Sequence, residues 1–217
     1  MFDSAAARRM MVDGQVRTAD VHNPELIAAM LEIPRERFVP PALAEQAYMD
    51  GDIEIAKGRA LLKPMVLAKL LQAAQLRGDE HVLDVGCGFG YSSAVLARLA
   101  GSVVALEEDE GLVRGAKEAL AATGAANVVV VEGPLTAGWP ATAPYDFILL
   151  DGATEIVPET LGRQLKPGGR LACIFGRSPA AKATVFRPVE GRLVGRAIFD
   201  AATVLLPGFA APLAFVF

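Results

Sequence analysis

The stretch that decides the fold is Val82-Leu83-Asp84-Val85-Gly86-Cys87-Gly88-Phe89-Gly90-Tyr91. The residues before Gly86 belong to a short apolar run typical of a buried strand, and a helical pattern begins near Ser92. Glycine at every second position of the intervening loop lets the backbone turn sharply and approach a ligand closely. Free amides at the start of the following helix favour polar or negatively charged ligand groups. The segment therefore predicts a strand, a ligand-binding loop and a helix in succession.

From residue 81 onward, short apolar runs alternate with helical stretches, which indicates a parallel sheet covered on both faces. The predicted strands are 81–85, 102–106, 127–131, 145–150, 169–175, 197–205 and 212–217, and the predicted helices are 92–99, 110–122 and 156–165. The fold class is therefore α/β, with a mostly parallel, seven-stranded, doubly wound sheet. In such a sheet ligands bind at the carboxyl ends of the strands.

Residues 1–78 carry a different pattern and are predicted to be mostly helical. Asn23 can cap a helix that begins at Pro24 and continues through Met30, and residues 64–76 have the apolar spacing of a second helix. A break follows at residues 77–79. We therefore expect a helical N-terminal extension over 1–78 and a ligand-binding core over 79–217.

Composition argues against several other classes of protein. The net charge of −4 and the pI near 5.3 give no electrostatic footprint for nucleic acid. Cys87 and Cys173 lie far apart, which argues against a disulfide scaffold or a zinc site, and we expect no metal. The start lacks the pattern of a signal peptide, and prolines and a glycine break the uncharged stretch 201–217. We expect a cytoplasmic protein without a membrane partner; the oligomeric state stays open.

Two classes of cofactor are bound by a glycine-rich loop at this place. A dinucleotide fingerprint, Gly-x-Gly-x-x-Gly, would need its third glycine at the position of Tyr91. The observed spacing, Asp84-x-Gly86-x-Gly88-x-Gly90, resembles instead the pattern of methyltransferases that use S-adenosylmethionine (SAM). Glu107, at the end of the next predicted strand, could accept hydrogen bonds from both ribose hydroxyls of either cofactor. The loop spacing therefore decides in favour of SAM.

Several further segments match one family of such enzymes over nearly the whole chain. They are Met11-Val-Asp-Gly-Gln-Val16, residues 24–30, Ile33-Pro-Arg-Glu-Arg-Phe-Val-Pro40, Ala47-Tyr-Met-Asp50, Gly138-Trp-Pro140, Pro144-Tyr-Asp146, Val157-Pro-Glu159 and Gln164-Leu-Lys-Pro-Gly-Gly169. Together they resemble the protein-L-isoaspartate O-methyltransferases. The resemblance implies a Rossmann-like SAM-dependent methyltransferase fold. It also implies esterification of the isoaspartyl α-carboxylate of a protein or peptide, with S-adenosylhomocysteine as product.

The acceptor loop that this family carries before its SAM domain is altered here. The family pattern is Gly-Gln-Thr-Ile-Ser-x-Pro, and its serine belongs to the active site. The matching stretch is Gly58-Arg-Ala-Leu-Leu-Lys-Pro64, with Leu62 at the serine position and Ala60 at the threonine position. Arg59 and Lys63 could supply positive charge for an anionic acceptor, or both could be solvated loop charges. Arg59, Leu62 and Lys63 are the candidate substrate-binding residues.

A second altered motif concerns adenine. Family members have Gly-Asp-Gly after the third core strand, and the Asp contacts the adenine amine. The matching stretch here is Gly133-Pro134-Leu135. Adenine must therefore be bound in another way, for instance by main-chain atoms. The candidate cofactor-binding residues are Asp84, Gly86, Cys87, Gly88, Gly90, Tyr91, Glu107, Glu108, Gly133, Pro134, Leu135 and Asp151. Cys87 is interpreted as a small loop residue, because no histidine lies near it in sequence to activate a thiolate.

No catalytic residue is assigned, since a carboxylate nucleophile is already ionised at neutral pH and alignment with the sulfonium can carry much of the catalysis. Three functions stay open. The first is the isoaspartyl carboxyl methyltransferase, the second a SAM-binding paralogue with another acceptor such as a small carboxylate, and the third a regulatory SAM-binding module without turnover. A nicotinamide-dependent dehydrogenase is disfavoured by the glycine spacing.

Overall fold

The computed structural model describes residues 2–212. Its helices are α1 (Ser4–Met11), α2 (Pro24–Glu32), α3 (Pro64–Ala74), α4 (Tyr91–Leu96), α5 (Glu110–Ala122) and α6 (Glu159–Gly162). Its strands are β1 (Ile53–Ala56), β2 (Arg59–Leu61), β3 (His81–Val85), β4 (Ser102–Glu107), β5 (Val128–Glu132), β6 (Tyr145–Thr154), β7 (Leu165–Phe175), β8 (Lys182–Val189) and β9 (Arg192–Asp200). A π-helical turn (Val12–Val16) and short 3-10 turns (Arg17–Ala19, Arg35–Phe38, Pro41–Gln46, Leu135–Ala137, Pro140–Thr142) lie between them.

The seven-stranded sheet confirms the predicted α/β fold class. Its strand order is β5-β4-β3-β6-β7-β8-β9, in which β3 to β7 are parallel and β8 and β9 are antiparallel to their neighbours. Successive residues of β6 belong to two different hydrophobic clusters: Phe147 packs in the first and Ile148 in the second. Both faces of the sheet are therefore covered. Val85 pairs with Leu106 and with Leu150, so the carboxyl ends of β3, β4 and β6 are level.

The predicted strand 197–205 is wrong in its position. The sheet contains β8 (Lys182–Val189), which the sequence analysis missed, and β9 in place of the predicted strand 197–205; beyond Asp200 only Leu205 forms a single parallel bridge. Strand β9 is the mostly exposed edge strand, and its charged residues interrupt the apolar pattern; β8, beside it, is buried only over residues 183–186 between charged or exposed ends. In the predicted strand 212–217, Pro212 belongs to no strand, and the other residues lie outside the described part of the chain.

The predicted helix 156–165 is also wrong, because only α6 (Glu159–Gly162) forms there. Strand β6 continues to Thr154, and β7 already begins at Leu165. Pro158 lacks an amide hydrogen and fits only at the start of a helix, so few residues remain for helix between the two strands.

The helical reading of residues 1–78 is confirmed for two helices and incomplete elsewhere. Asn23 caps α2 by accepting a hydrogen bond from the Leu26 amide at 3.0 Å, as predicted. The antiparallel hairpin β1–β2 was missed, because its strands are short and charged. Helices α1 to α3 contribute to the same hydrophobic cluster as β3 and β6. The division into parts 1–78 and 79–217 stays a prediction.

A buried ion pair fixes α3 to the sheet. Arg170 on β7 donates to both carboxylate oxygens of Glu80, at 2.9 and 2.7 Å, and also to the carbonyls of Ala74 and Gln75 at the end of α3. Both side chains of the pair are nearly inaccessible to solvent. Arg170 thereby holds the C-terminal end of α3 against β7. The acceptor loop, residues 58–64, precedes the N-terminal end of the same helix.

We expect Arg170→Leu to destabilise the fold by about 3–5 kcal/mol, because it removes the buried cation beside Glu80 and leaves that buried carboxylate only its contacts with the exposed Arg77. The free energy of unfolding from urea titration measures the loss. Arg187→Leu, which changes an exposed arginine of β8, is the control and should shift that free energy by less than about 0.5 kcal/mol. Equal effects of the two changes would contradict the structural role of the pair.

Candidate active site

The glycine loop after β3 is held tightly against β4 and the β1–β2 hairpin. The amides of Gly86 and Cys87 both donate to the carbonyl of Leu106, at 2.9 and 3.2 Å. Gly88 has a φ of +56°, and a Cβ on it would lie 2.6 Å from Cδ1 of Ile55. A side chain at position 88 would therefore strain the backbone and force the Ile55 side chain to move.

Asp84 lies buried beneath this loop. Its Oδ2 accepts hydrogen bonds from the hydroxyls of Ser92 and Ser93 at 2.7 and 2.6 Å, whereas its Oδ1 has no partner among the described residues. Burial raises the pKa of Asp84 to about 6, and the Glu107 charge adds to this, while the two serine hydroxyls oppose it. Asp84 therefore offers a buried acceptor atom to a ligand in the loop.

Asp151 supplies a second buried acceptor. It follows Leu150 at the carboxyl end of β6, beside the position where Gly86 follows β3. Its Oδ1 is likewise buried without a partner in the described part of the chain. Burial and then the charge of Asp84 raise the pKa of Asp151 well above its usual range. Two neighbouring acids with unpartnered oxygens are complementary to a cationic ligand.

Glu107, the predicted ribose ligand, is fully buried and engaged by Arg59. The Arg59 guanidinium donates from Nη2 to Oε1 at 2.8 Å and from Nε to Oε2 at 2.9 Å. The amides of Gly88, Glu108 and Asp109 donate to the same carboxylate at 2.8–3.2 Å. Glu108 is exposed apart from a 3.2 Å contact to Arg59. The interpretation of Arg59 as a solvated loop charge is wrong, because the residue is 3% exposed.

The other acceptor-loop candidates lie apart from this pair. Leu62, 2% exposed, packs in the hydrophobic cluster. Lys63 forms an ion pair with Asp50 at 3.1 Å and retains partial exposure. Arg59 faces Glu107, the predicted ribose ligand. Acceptor binding by Arg59, Leu62 and Lys63 stays a prediction.

Arg35 is a site residue that the sequence analysis missed. Its guanidinium is fully buried, donates to the carbonyls of Ala47 and Leu62 at 2.6 Å each, and lies over the ring of Tyr91 at 4.7 Å. It thereby joins the acceptor loop to the residue that begins α4. Its place inside a family-matching segment, residues 33–40, was the available signal, but sequence alone did not show what it contacts.

The chain after β9 covers the other side of the loop. The side chains of Leu206 and Leu135 lie so close to Gly86 that a Cβ there would be 3.2 and 3.6 Å from them. The amide of Gly133 donates to the Glu107 carbonyl at 3.0 Å, while Pro134 is exposed. Leu206 was missed because the sequence analysis assigned its surroundings to a strand and a turn. How adenine is read stays a prediction.

Cys87 is buried, and burial raises the pKa of its thiol well above the usual value. This agrees with its interpretation as a small loop residue rather than a thiolate nucleophile. Among residues 2–212 no three His, Cys, Asp or Glu side chains are grouped so as to hold a metal ion. Within the same residues, no helix has the length and apolar character needed to span a membrane.

We expect both thiols of the native protein to resist a thiol reagent such as DTNB, because Cys87 and Cys173 are buried and protonated. Labelling in guanidinium chloride, where both react, provides the reference. Rapid labelling of Cys87 in the native protein would show that the glycine loop is open, contrary to the geometry described above.

The strand order, the glycine loop and the acid at the end of the next strand together define the class: a Rossmann-like, SAM-dependent methyltransferase fold. The model of the family "Protein-L-isoaspartate(D-aspartate) O-methyltransferase" matches residues 7–197. The chain therefore belongs to the protein-L-isoaspartate O-methyltransferase family.

Individual relatives agree with this assignment. The chain is 40% identical to protein-L-isoaspartate O-methyltransferase of Pelotomaculum thermopropionicum, over 79% of this chain and 75% of that one. It is 41% identical to that of Methylorubrum extorquens, over 85% and 80%. A solved protein-L-isoaspartate O-methyltransferase superposes with a TM-score of 0.79 at 27% identity, covering 93% of this chain but only 66% of that one. A Plasmodium falciparum structure described as a complex with S-adenosyl-L-homocysteine shares the fold, with a TM-score of 0.78, 18% identity and coverage of 95% and 99%.

Proposed function

We propose that this protein is a SAM-dependent O-methyltransferase that esterifies the α-carboxylate of isoaspartyl residues in proteins or peptides. Family membership supports the reaction class. The observation that carries the proposal for this chain is the pair of buried, unpartnered carboxylate oxygens, on Asp84 and Asp151, beside a glycine loop. SAM bears a sulfonium and an ammonium group, so a pocket with two such acids fits it better than it fits an anionic dinucleotide.

Within this proposal each residue type has a separate role. The loop from Gly86 to Gly90 brings backbone groups close to the cofactor, Asp84 and Asp151 receive its positive charge, and Glu107 accepts from the ribose. The stretch Gly133-Pro134-Leu135 borders the adenine. Bound SAM supplies an electrophilic methyl group and a good leaving group.

The chain's own task in methyl transfer is to hold the acceptor in line. An isoaspartyl carboxylate is ionised at neutral pH and needs no base. Arg35 positions the acceptor loop through the Leu62 carbonyl, and Lys63 provides a partly exposed positive charge at the loop's end. Most of the rate enhancement would then come from alignment of the two reactants.

A second candidate is a paralogue that binds SAM but methylates another acceptor, or none. The burial of Leu62 favours it, because the loop offers no hydroxyl at the family's serine position. For the first candidate we further propose a role in protein repair in the cytoplasm, without a nucleic-acid partner, in keeping with the net charge of −4.

Restoring the family loop with Ala60→Thr and Leu62→Ser together should raise methyl-ester formation on an isoaspartyl peptide above the wild-type level. The serine hydroxyl returns a hydrogen bond to a carboxylate that Leu62 only desolvates. Methyl transfer from labelled SAM measures the activity, with the matching aspartyl peptide as control, and the melting temperature checks the fold of the double variant. Wild-type activity equal to that of a serine-bearing relative would show that Leu62 is tolerated. A folded, SAM-binding double variant without activity would favour another acceptor.

Affinity for S-adenosylhomocysteine should rise as the pH rises from 5 to 7, by up to about tenfold per pH unit below pH 6. The ligand's ammonium group prefers ionised Asp84, whose pKa of about 6 means that it is largely protonated at pH 5. Binding should therefore release a proton. Calorimetry in buffers of different ionisation enthalpy measures this release. Asp84→Asn should flatten the pH dependence, whereas the exposed control Asp79→Asn should retain it; the same slope in both would refute the role of Asp84.

A further inference from the structure

Arg59 already forms an ion pair with Glu107, the residue that the proposed function assigns to the ribose. A carboxylate has about four lone-pair positions. On Glu107, Oε1 accepts from Arg59 Nη2 and the Glu108 amide, both at 2.8 Å, and Oε2 accepts from Arg59 Nε at 2.9 Å and the Gly88 amide at 3.1 Å. All positions are therefore used, and a ribose hydroxyl can bind Glu107 only if one of these donors leaves.

The donors differ in how readily they can leave. The amides come from the glycine loop and from the residues that begin α5, which are parts of the main fold. Arg59 instead lies on β2, a strand of three residues in a separate two-stranded sheet. This hairpin has no strand pairing with the seven-stranded sheet and is held by side-chain contacts, such as those of the buried Ile53 and Leu61. In the family's loop pattern the matching position is glutamine, whose side chain is neutral and shorter.

The hairpin also covers the glycine loop. Ile55 on β1 lies 2.6 Å from the place where a Cβ of Gly88 would be, so the same hairpin that carries Arg59 fills the space beside the loop. Residues 58–64, which continue from β2, form the acceptor loop. A withdrawal of the hairpin that frees Glu107 would therefore also move the acceptor loop.

We propose that Arg59 competes with the cofactor's ribose for Glu107, so that the cofactor binds only after the β1–β2 hairpin withdraws Arg59. This inference rests on the proposed function, because it takes Glu107 as the ribose ligand. Cofactor binding and the position of the acceptor loop are then coupled, and the coupling is reciprocal: an acceptor that holds the hairpin open strengthens cofactor binding.

Arg59→Gln, which places the family's residue in the loop, should bind S-adenosylhomocysteine at least tenfold more tightly than the wild type in calorimetry. Lys57→Gln is the matched control: it removes the same charge from an exposed residue in the turn of the same hairpin, and its affinity should stay at the wild-type value. The gain should appear for adenosine and be absent for 2′,3′-dideoxyadenosine, which lacks the hydroxyls that Glu107 would accept from.

A second measurement uses the wild type alone, in case Arg59→Gln fails to fold. Saturating S-adenosylhomocysteine should speed amide hydrogen exchange in residues 53–61 while slowing it in the glycine loop. Slower exchange in both segments, or equal affinity of the wild type and Arg59→Gln, overturns the competition and leaves the proposed function intact. Absence of binding by every variant overturns the proposed function itself.

Discussion

The buried carboxylate of Glu107 accepts hydrogen bonds from three parts of the molecule that lie far apart in sequence. Arg59 comes from the β1–β2 hairpin, Gly88 from the glycine loop, and Glu108 and Asp109 from the start of α5. Burying one carboxylate without such partners would cost several kcal/mol, so the three segments are stable together rather than separately. Glu107 thus joins the hairpin to the glycine loop and to the start of α5. Burial of Ile53 and Leu61 and the contact of Arg35 with the Leu62 carbonyl also hold the hairpin in place.

The parallel register explains why the acids of the site come close together. Asp84 lies near the end of β3, Glu107 ends β4 and Asp151 follows Leu150 on β6, and these three strands are neighbours with level carboxyl ends. Of these three acids, only Glu107 has a cationic partner within 4 Å among the described residues. Burial raises the pKa values of Asp84 and Asp151, and a neighbouring charge adds to it: Glu107 for Asp84, and Asp84 for Asp151. A cationic ligand at this edge of the sheet would offset both effects, as the proposed function requires.

Local sequence patterns predicted those helices and strands in which apolar side chains recur at the regular spacing of that element. The strands β3 to β7, α5 and the Asn23 cap agree with the predictions because their apolar spacing and turn residues are local signals. Strand β8 was missed and β9 was displaced, since their apolar runs are short or interrupted and their pairing is a tertiary property. The assignment of the candidate site residues stays a prediction. The partners of Arg59 and Arg35 could not be predicted, because they depend on contacts between distant segments that no local pattern encodes.

Two altered residues of the acceptor loop, Arg59 and Leu62, contact different parts of the molecule. Along β2 successive side chains point to opposite sides, so Arg59 and Ala60 cannot face the same partner. Arg59 is directed to Glu107, while Leu62, just beyond the strand, packs into the hydrophobic cluster and leaves its carbonyl to Arg35. A loop that is polar in the family pattern is thus anchored here on both sides, by an ion pair and by apolar packing. Replacing Leu62 alone would weaken the apolar packing of the loop. The loop would still be held by Arg59 for as long as no ligand is bound to Glu107.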